Sequence, residues 1–270
     1  MRVLSWNLYH GRDFPPDPAL LTRRSRVFGL TERNATHAQV NRPLLREFAH
    51  WLAGSDWTVA LLQEAPPRWF EALARLTASS GALALTSRNL LPALQWRLAD
   101  LNPDLLASSE GGSNQILVRH PGRIAETRRL RLALRPERRR MLWTRVELPE
   151  GRVCVANLHA SAGRPEAAAR ELVRAAGCAL NWASGDPLVF GGDFNLRPRR
   201  DPETFALLRE RFGLGEPTAP AAIDHLLARG LAVVEAPRRL GPAEREITGH
   251  DERRIRLSDH APVVARFRLP

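Results

Sequence analysis

The chain contains no lysine; all 40 positions counted as Lys or Arg are arginine. It has only two cysteines, Cys154 and Cys178, and a single tyrosine. Two cysteines make no secreted disulfide framework. Cys154 falls in an apolar strand-like run and Cys178 in a helix-like run, so both are expected as buried free thiols. No uninterrupted apolar run is long enough to cross a bilayer. The N-terminus, Met1-Arg2-Val3-Leu4-Ser5-Trp6-Asn7, has no apolar h-region and no small-residue cleavage site, which argues against a signal peptide. The expectation is a cytoplasmic protein with no membrane span. Gly/Ser linkers, low-complexity blocks and repeats are also missing, so nothing divides the chain, and residues 1–270 are expected to form one domain.

The sequence has 270 residues, 44% of them hydrophobic. That length buries a sizeable core without disulfides. The net charge of +11 suits a polyanionic partner such as nucleic acid. Complete replacement of lysine by arginine has a second explanation, a GC-rich codon bias, which says nothing about partners. No obligate protein partner is implied, and the oligomeric state is open.

Strand-like and helix-like segments alternate along the chain. Strands are expected at Arg2 to Leu8, Trp57 to Leu62, Gln115 to Val118, Met141 to Leu148, Arg152 to Leu158, Leu188 to Phe190, Ile223 to Leu227, Leu231 to Val234 and Pro262 to Leu269. Helices are expected from Pro43 through Leu52, at Arg68 to Leu76 with Phe70, Leu73 and Leu76 on one side, from Pro165 through Leu180, and at Glu203 to Phe212. Gly11 to Gln39 reads as irregular, Leu83 to Gly112 has no clean period, and Arg135 to Arg140 reads as a basic turn. Interleaving of this kind predicts an α/β architecture of packed sheets with helices outside.

Polar residues recur where these strands meet loops: Asn7, Glu64, His159, Asp193, Asn195, Asp224, Asp259 and His260. A strand end is a rigid platform with one side in solvent, which suits catalysis. The residue types suit phosphoester hydrolysis. A hard cation such as Mg2+, with Mn2+ as an alternative, takes oxygen ligands. Glu64 and Asp259 could supply carboxylates and Asn7 an amide oxygen. His260 is the best candidate for a general base, with Asp224 behind it to fix the tautomer. Asp193 and Asn195, two apart in an extended stretch, could orient the attacking water, and His159 could donate to the phosphoryl group.

Six short motifs carry a resemblance: Ser5-Trp6-Asn7, Gln63-Glu64, Asn157-Leu158-His159, Gly191-Gly192-Asp193-Phe194-Asn195, Ile223-Asp224-His225 and Ser258-Asp259-His260-Ala261-Pro262-Val263. In this order they resemble the endonuclease/exonuclease/phosphatase superfamily, which includes pancreatic deoxyribonuclease, abasic-site endonucleases, bacterial sphingomyelinases and inositol-polyphosphate 5-phosphatases. The resemblance implies a four-layer α/β sandwich, two packed and mainly antiparallel β-sheets flanked by helices, with the site at one edge. It implies a metal held mainly by Glu64 with Asn7 and Asp259 close by, and a His260–Asp224 base dyad. His159 matches deoxyribonuclease-like members and differs from abasic-site endonucleases.

Other residues read as structural. Asn114 is expected as a turn residue, and His10, His37, His50, His120 and His250 as surface or loop residues. The tryptophans are expected to pack in the core, Trp96 least clearly. Arginines flanking the motifs (Arg12; Arg197, Arg199 and Arg200; Arg253, Arg254 and Arg256) could bind further phosphates. Arg135, Arg138, Arg139 and Arg140 are expected on a solvated surface. The leading expectation is a metal-dependent nuclease. Its rivals are a phosphatase or phosphodiesterase acting on a small molecule or lipid head group, and a non-catalytic nucleic-acid-binding protein.

Overall fold

A computed structural model of the chain describes residues 1–87, 91–135, 137–249 and 251–270. The principal strands are β1 (Arg2–Asn7), β2 (Val59–Ala65), β3 (Ser79–Leu85), β4 (Ser113–Arg119), β5 (Arg123–Ala133), β6 (Arg139–Leu148), β7 (Gly151–His159), β8 (Leu188–Asp193), β9 (Asp224–Arg229), β10 (Ala232–Arg239) and β11 (Val263–Arg268). The longer helices are α1 (Leu45–Gly54), α2 (Phe70–Leu76), α3 (Pro92–Leu101), α4 (Pro165–Ala183) and α5 (Pro202–Phe212). One sheet has the order β10-β11-β1-β2-β4-β3 and the other β9-β8-β7-β6-β5. Pairing is antiparallel except in β1/β2 and β7/β8, which are parallel. Parallel neighbours need a long crossover. These two pairs are the ones whose connections carry α1 and α4.

The layers follow from two-residue alternation. Val3, Val59, Leu61, Ile116, Val118 and Phe267 of the first sheet meet Leu142, Val146, Val153, Val155, Val189 and Leu226 of the second. The intervening residues turn outward. Leu4, Trp6, Ala60, Leu62 and Leu117 pack under Phe48 and Leu52 of α1 and Leu73 of α2. Trp143, Ala156, Leu158 and Phe190 pack under Leu172 and Ala176 of α4 and Phe205 of α5. Each such side chain contributes about 1.5–3 kcal/mol when fully buried. The expected four-layer sandwich of two mainly antiparallel sheets is the observed architecture.

A polar clasp interrupts the apolar seam between the sheets. Asn157 on β7 reaches across and donates Nδ2 to the carbonyls of Leu62 (2.9 Å) and Gln115 (2.8 Å). Gln63 returns the contact, donating Nε2 to Asn157 Oδ1 at 2.8 Å and to Ser5 Oγ at 3.2 Å. All three side chains are buried.

Several elements differ from expectation. β3 and β5 are edge strands the sequence pattern did not reveal. β5 (RIAETRRLRLA) is partly exposed along its length and studded with arginine, as edge strands are when charge protects them from pairing. β3 begins before the stretch without a period and ends inside it, and α3, which is largely exposed, lies wholly within it. The segment read as irregular holds a short helix at Arg23–Phe28. Pro43 lies before α1, not in its first turn. Leu76 is half exposed, not on the inner face of α2. Arg139 and Arg140 already belong to β6, and Pro136 lies outside the described residues, as does His250. Asn114 is no turn residue; it is fully buried within β4. Cys154 is buried and Cys178 partly so, both unpaired.

Candidate active site

The two parallel pairs bring their carboxyl ends to the same edge of the sandwich. Asn7 ends β1 in register with Gln63 of β2. His159 ends β7 in register with Asp193, which ends β8. β9 runs the other way, so its first residue, Asp224, stands opposite Asp193. The loop before β11 adds Asp259 and His260, held by Ser258, whose Oγ donates to the Asn7 carbonyl at 2.6 Å and accepts the His260 amide at 3.1 Å.

Close packing explains the Gly191-Gly192 pair. At Gly192 (φ +129°) a Cβ atom would lie 2.0 Å from the Leu158 carbonyl oxygen. Only glycine lets β8 approach β7 this closely and so align Asp193 with His159. Glu64 is redirected by a different device. The β2–β4 ladder slips between Leu62 and Ala65, and Glu64 takes φ +45°. The bulge swings its carboxylate to the strand ends, at a backbone cost of about 1–3 kcal/mol for a non-glycine residue.

The side chains form a continuous network. Asn7 Nδ2 donates to Asp193 Oδ2 at 3.1 Å. The same oxygen lies 3.5 Å from His159 Nε2 and 3.9 Å from His260 Nε2. His260 Nδ1 sits 3.0 and 2.9 Å from the two Asp224 oxygens. Glu64 lies 3.8 Å from His159 Nδ1 and 3.2 Å from His10 Nε2. Asp259 Oδ1 is 4.0 Å from His260 Nε2. The Asn195 amide N–H donates to Asp193 Oδ1, and its Nδ2 donates to the Ala160 carbonyl.

The eight residues singled out from the sequence therefore meet in one cleft. The Asn7 amide, however, is turned as a donor. Its oxygen accepts the Tyr9 amide N–H at 2.9 Å, and its nitrogen faces Asp193, because the short turn after β1 presents that N–H to it. His10, expected as a surface or loop residue, is a member of the cluster instead. It belongs to the turn following Asn7 and takes φ +55°. Only its nearness to Asn7 in sequence could have signalled this.

Electrostatics divide the cluster. Burial, together with nearby Arg139 in one case and Arg12 in the other, drives His159 down to about 3 and lowers His10. At neutral pH both therefore face Glu64 as neutral rings. Burial opposes the charge on His260 too, but Asp224, then Asp193 and Asp259, outweigh it and raise this ring to about 10. Burial raises Asp193, reinforced by Asp224. Burial also raises Asp259, with Glu64 adding to the effect. Burial works against Glu64 as well, yet in the acid range where it titrates, and where His10 and His159 join His260 as cations, the three histidines and the Asn7 hydrogen bond hold it at about 2.

Four carboxylates thus crowd one cleft around a single imidazolium. The donor chemistry fits a hard divalent cation, which would relieve the repulsion that raises Asp193 and Asp259. Glu64 and Asp259 offer ligand oxygens on one side of the cleft. Asp193, Asp224 and His260 bring ligand atoms within 4.8 Å of one another on the other. Buried atoms at the site, among them His10 Nδ1, His159 Nδ1 and Asn114 Oδ1, lack a hydrogen-bond partner among the described residues. Asn114 lies opposite the bulge that carries Glu64, with its Nδ2 donating to the Arg140 carbonyl at 2.7 Å. Unsatisfied buried polar atoms at a cleft are what a ligand-binding site presents.

The flanking arginines sort differently from expectation. Arg253, Arg254 and Arg256 are occupied by Asp251 and Glu246. Arg12 lies over the Tyr9 ring at 3.9 Å and donates to the Asp104 carbonyl. The side chains of Arg197, Arg199 and Arg200 have no acidic partner within 4 Å among the described residues. Arg139, far from every motif in sequence, is buried at 7% exposure, pairs with Glu137 and reaches His159 electrostatically.

This fold and cleft define a phosphoester hydrolase built on two opposed sheets. The sequence matches the Endonuclease/Exonuclease/phosphatase family over residues 4–260, and the chain belongs to that family. Members of the family are divalent-metal-dependent phosphoesterases. No curated protein matches the sequence. Among solved structures, the chain is similar to the human Nocturnin catalytic domain with bound sulfate (TM-score 0.63, 17% identity, covering 99% of this chain and 94% of that one). It is similar to a mannosyl-6-phosphatase of Bacteroides thetaiotaomicron (TM-score 0.64, 14% identity, 99% of both chains). It also resembles truncated TDP2 of Caenorhabditis elegans (TM-score 0.60, 15% identity, 98% and 96%). At these identities the likeness is one of fold. No helix among the described residues is long and apolar enough to cross a membrane.

Proposed function

We propose that the protein is a nuclease that cleaves nucleic-acid phosphodiesters with Mg2+ or Mn2+. The observation that carries the substrate class is charge. The chain is +11 overall, and the loop directly after Asn195 presents Arg197, Arg199 and Arg200 without acidic partners within 4 Å among the described residues. Guanidinium groups beside a phosphoryl site bind phosphates.

Glu64 and Asp259 would hold the cation, which supplies charge neutralisation at the phosphoryl oxygens. Asp193 and His260 are the proton-handling pair. Asp224 fixes the His260 tautomer so that Nε2 faces the cleft, and Asn7 steadies the Asp193 oxygen nearest to it. A water aligned by Asp193 and Asn195 gives its proton to the Asp193 carboxylate as its oxygen bonds to phosphorus; the P–O bond to the leaving sugar oxygen breaks, and that oxygen takes a proton from the His260 imidazolium. His159, a neutral ring, donates a hydrogen bond to the developing phosphoryl charge.

The experiment is a substrate panel with and without EDTA: plasmid, single-stranded DNA, RNA, an abasic-site duplex, sphingomyelin, inositol phosphates and a chromogenic phosphodiester. EDTA-sensitive cleavage of a nucleic acid, falling steeply with salt, is expected. Turnover of a small phosphate ester with no nucleic acid cleaved would replace this reading by the phosphatase one. Binding without turnover of any substrate would replace it by a non-catalytic one.

A further inference from the structure

A cavity of ≈ 380 Å3 opens beside the active site, lined by Ser161, Glu171 and the arginines Arg135, Arg164, Arg170 and Arg174. Ser161 follows His159 by two residues, and the residue between them, Ala160, is tied to Asn195 through its carbonyl. The cavity wall is thus a direct continuation of the catalytic edge. The basic segment near residue 135, expected on a remote solvated surface, folds back to this place.

The cavity is strongly positive, with four arginines against one carboxylate among its lining residues. Glu171 is the one lining carboxylate among the described residues, and it is already engaged. Its two oxygens accept the Ser161 amide N–H (2.8 Å) and hydroxyl (2.7 Å), and the residue is buried at 7% exposure. That bidentate contact pins the loop after His159 to α4. None of the four arginine side chains has an acidic group within 4 Å or a hydrogen-bond partner among the described residues, and all four residues are exposed. Arg170 and Arg174 are one helical turn apart, so they share a face of α4. Arg164 stands at the N-terminus of that helix, whose partial positive charge adds to the field. Four guanidinium groups converging without partners cost self-repulsion, which an incoming anion removes.

We propose that this cavity holds the phosphate neighbouring the scissile one on the same nucleic-acid strand. The inference rests on the nuclease reading above and extends it: the enzyme reads at least two consecutive phosphates, and cleavage of a lone phosphodiester forgoes that contact. The Arg197–Arg200 loop follows Asn195, whereas this cavity is reached through Ser161, so the two basic surfaces are built from different segments.

The test compares wild type with Arg170→Gln/Arg174→Gln on three substrates: a chromogenic single phosphodiester, a trinucleotide, and the same trinucleotide with a neutral methylphosphonate at the linkage that is not cut. Expected are equal kcat/KM values on the first, a loss of about tenfold or more in the variant on the second, and near-equality again on the third, where the wild type loses its advantage. Unchanged thermal unfolding excludes a folding defect as the cause. Equal losses on all three substrates, or no loss on the trinucleotide, would overturn the inference. If wild type cleaves no nucleic acid, the nuclease reading fails, and the cavity is judged separately by anisotropy of a fluorescent octathymidylate in EDTA. There, a salt slope reduced by about 0.7 per lost phosphate contact supports a phosphate site, and identical binding by variant and wild type rules it out.

Discussion

His10 closes on Glu64 from the turn after β1, with Nε2 3.2 Å from Oε2. The contact joins two residues that both sit at positive φ, so each carboxylate–imidazole partner is held by a constrained backbone. A histidine that orients a ligand carboxylate tunes metal affinity without touching the metal, and loss of such a partner typically costs 10–100-fold in metal affinity or activity. For His10→Ala we expect the Mg2+ or Mn2+ concentration giving half-maximal activity to rise by about tenfold, with turnover at saturating metal largely kept. A metal titration of activity, paired with calorimetric metal binding, checks this. An unchanged titration midpoint would remove His10 from the site's machinery.

Glu64 offers a separation of stability from function. Its φ of +45° is paid for by the carboxylate it delivers. Glu64→Ala deletes the carboxylate and keeps the strained backbone, whereas Glu64→Gly deletes both. The glycine variant is expected to be more stable than the alanine variant by about 1 kcal/mol, or roughly 2–4 °C in melting temperature for a chain of this size. Both should require far more metal than wild type. Equal melting temperatures would show that the bulge carries no strain.

The His260–Asp224 contact predicts non-additivity. His260→Ala should lower turnover at saturating metal by about two to four orders of magnitude. Asp224→Asn leaves the ring without its anionic partner and should also lower turnover. The double variant should be little worse than His260→Ala alone, because the two act as one unit. Steady-state kinetics on all three proteins decide it; strictly multiplicative losses would separate the two roles.

Asp13 gives a pH dependence away from the metal. It is buried at 2% exposure and accepts the Val40 amide N–H at 2.9 Å on one oxygen, while the other has no hydrogen-bond partner among the described residues. Burial, reinforced by Asp104, pushes its carboxyl up to about 8. The folded chain then holds a proton that the unfolded chain releases above about pH 4. Stability from this group is complete below that value and declines as pH rises toward about 8. Asp13→Asn keeps an acceptor for Val40 and removes the titration. Urea midpoints at pH 5 and pH 8 should fall between the two values for wild type and fall less for the variant. A parallel decline in both proteins would contradict the assignment.

Much of this was readable in the chain because the site is made of strand ends. Apolar runs locate Val59 to Leu62 and Val153 to Leu158, and the polar residues that close them, Glu64 and His159, are then at the edge. Gly191-Gly192 marks close strand approach by the absence of side chains. What could not be read depended on contacts between distant segments. β5 carries its arginines on an edge, so its pattern is not that of a half-buried strand. His10 lies in a turn whose direction is set by packing, and nothing local separates it from the exposed His50 or His120. The neighbourhood of Arg135 and Arg139 to His159 arises because β6 pairs with β7, a relation that sequence distance conceals. The donor orientation of Asn7 follows from a backbone N–H two residues on, which no residue pattern specifies.

The Asn157–Gln63 clasp bears on how the enzyme keeps its alignment. Apolar surfaces attract without preferred direction, so the apolar seam alone sets the relative alignment of the sheets less sharply than directional bonds do. Half the reactive groups ride on one sheet (Asn7, Glu64, and the loop leading into β11) and half on the other (His159, Asp193, Asp224). Hydrogen bonds across the seam resist shear where hydrophobic contact does not. An isosteric aliphatic residue at 157 would take this partner from the Gln63 amide and from the Leu62 and Gln115 carbonyls, at about 1–3 kcal/mol per stranded group, so the alignment of the two halves of the cleft rests on a residue outside the catalytic cluster.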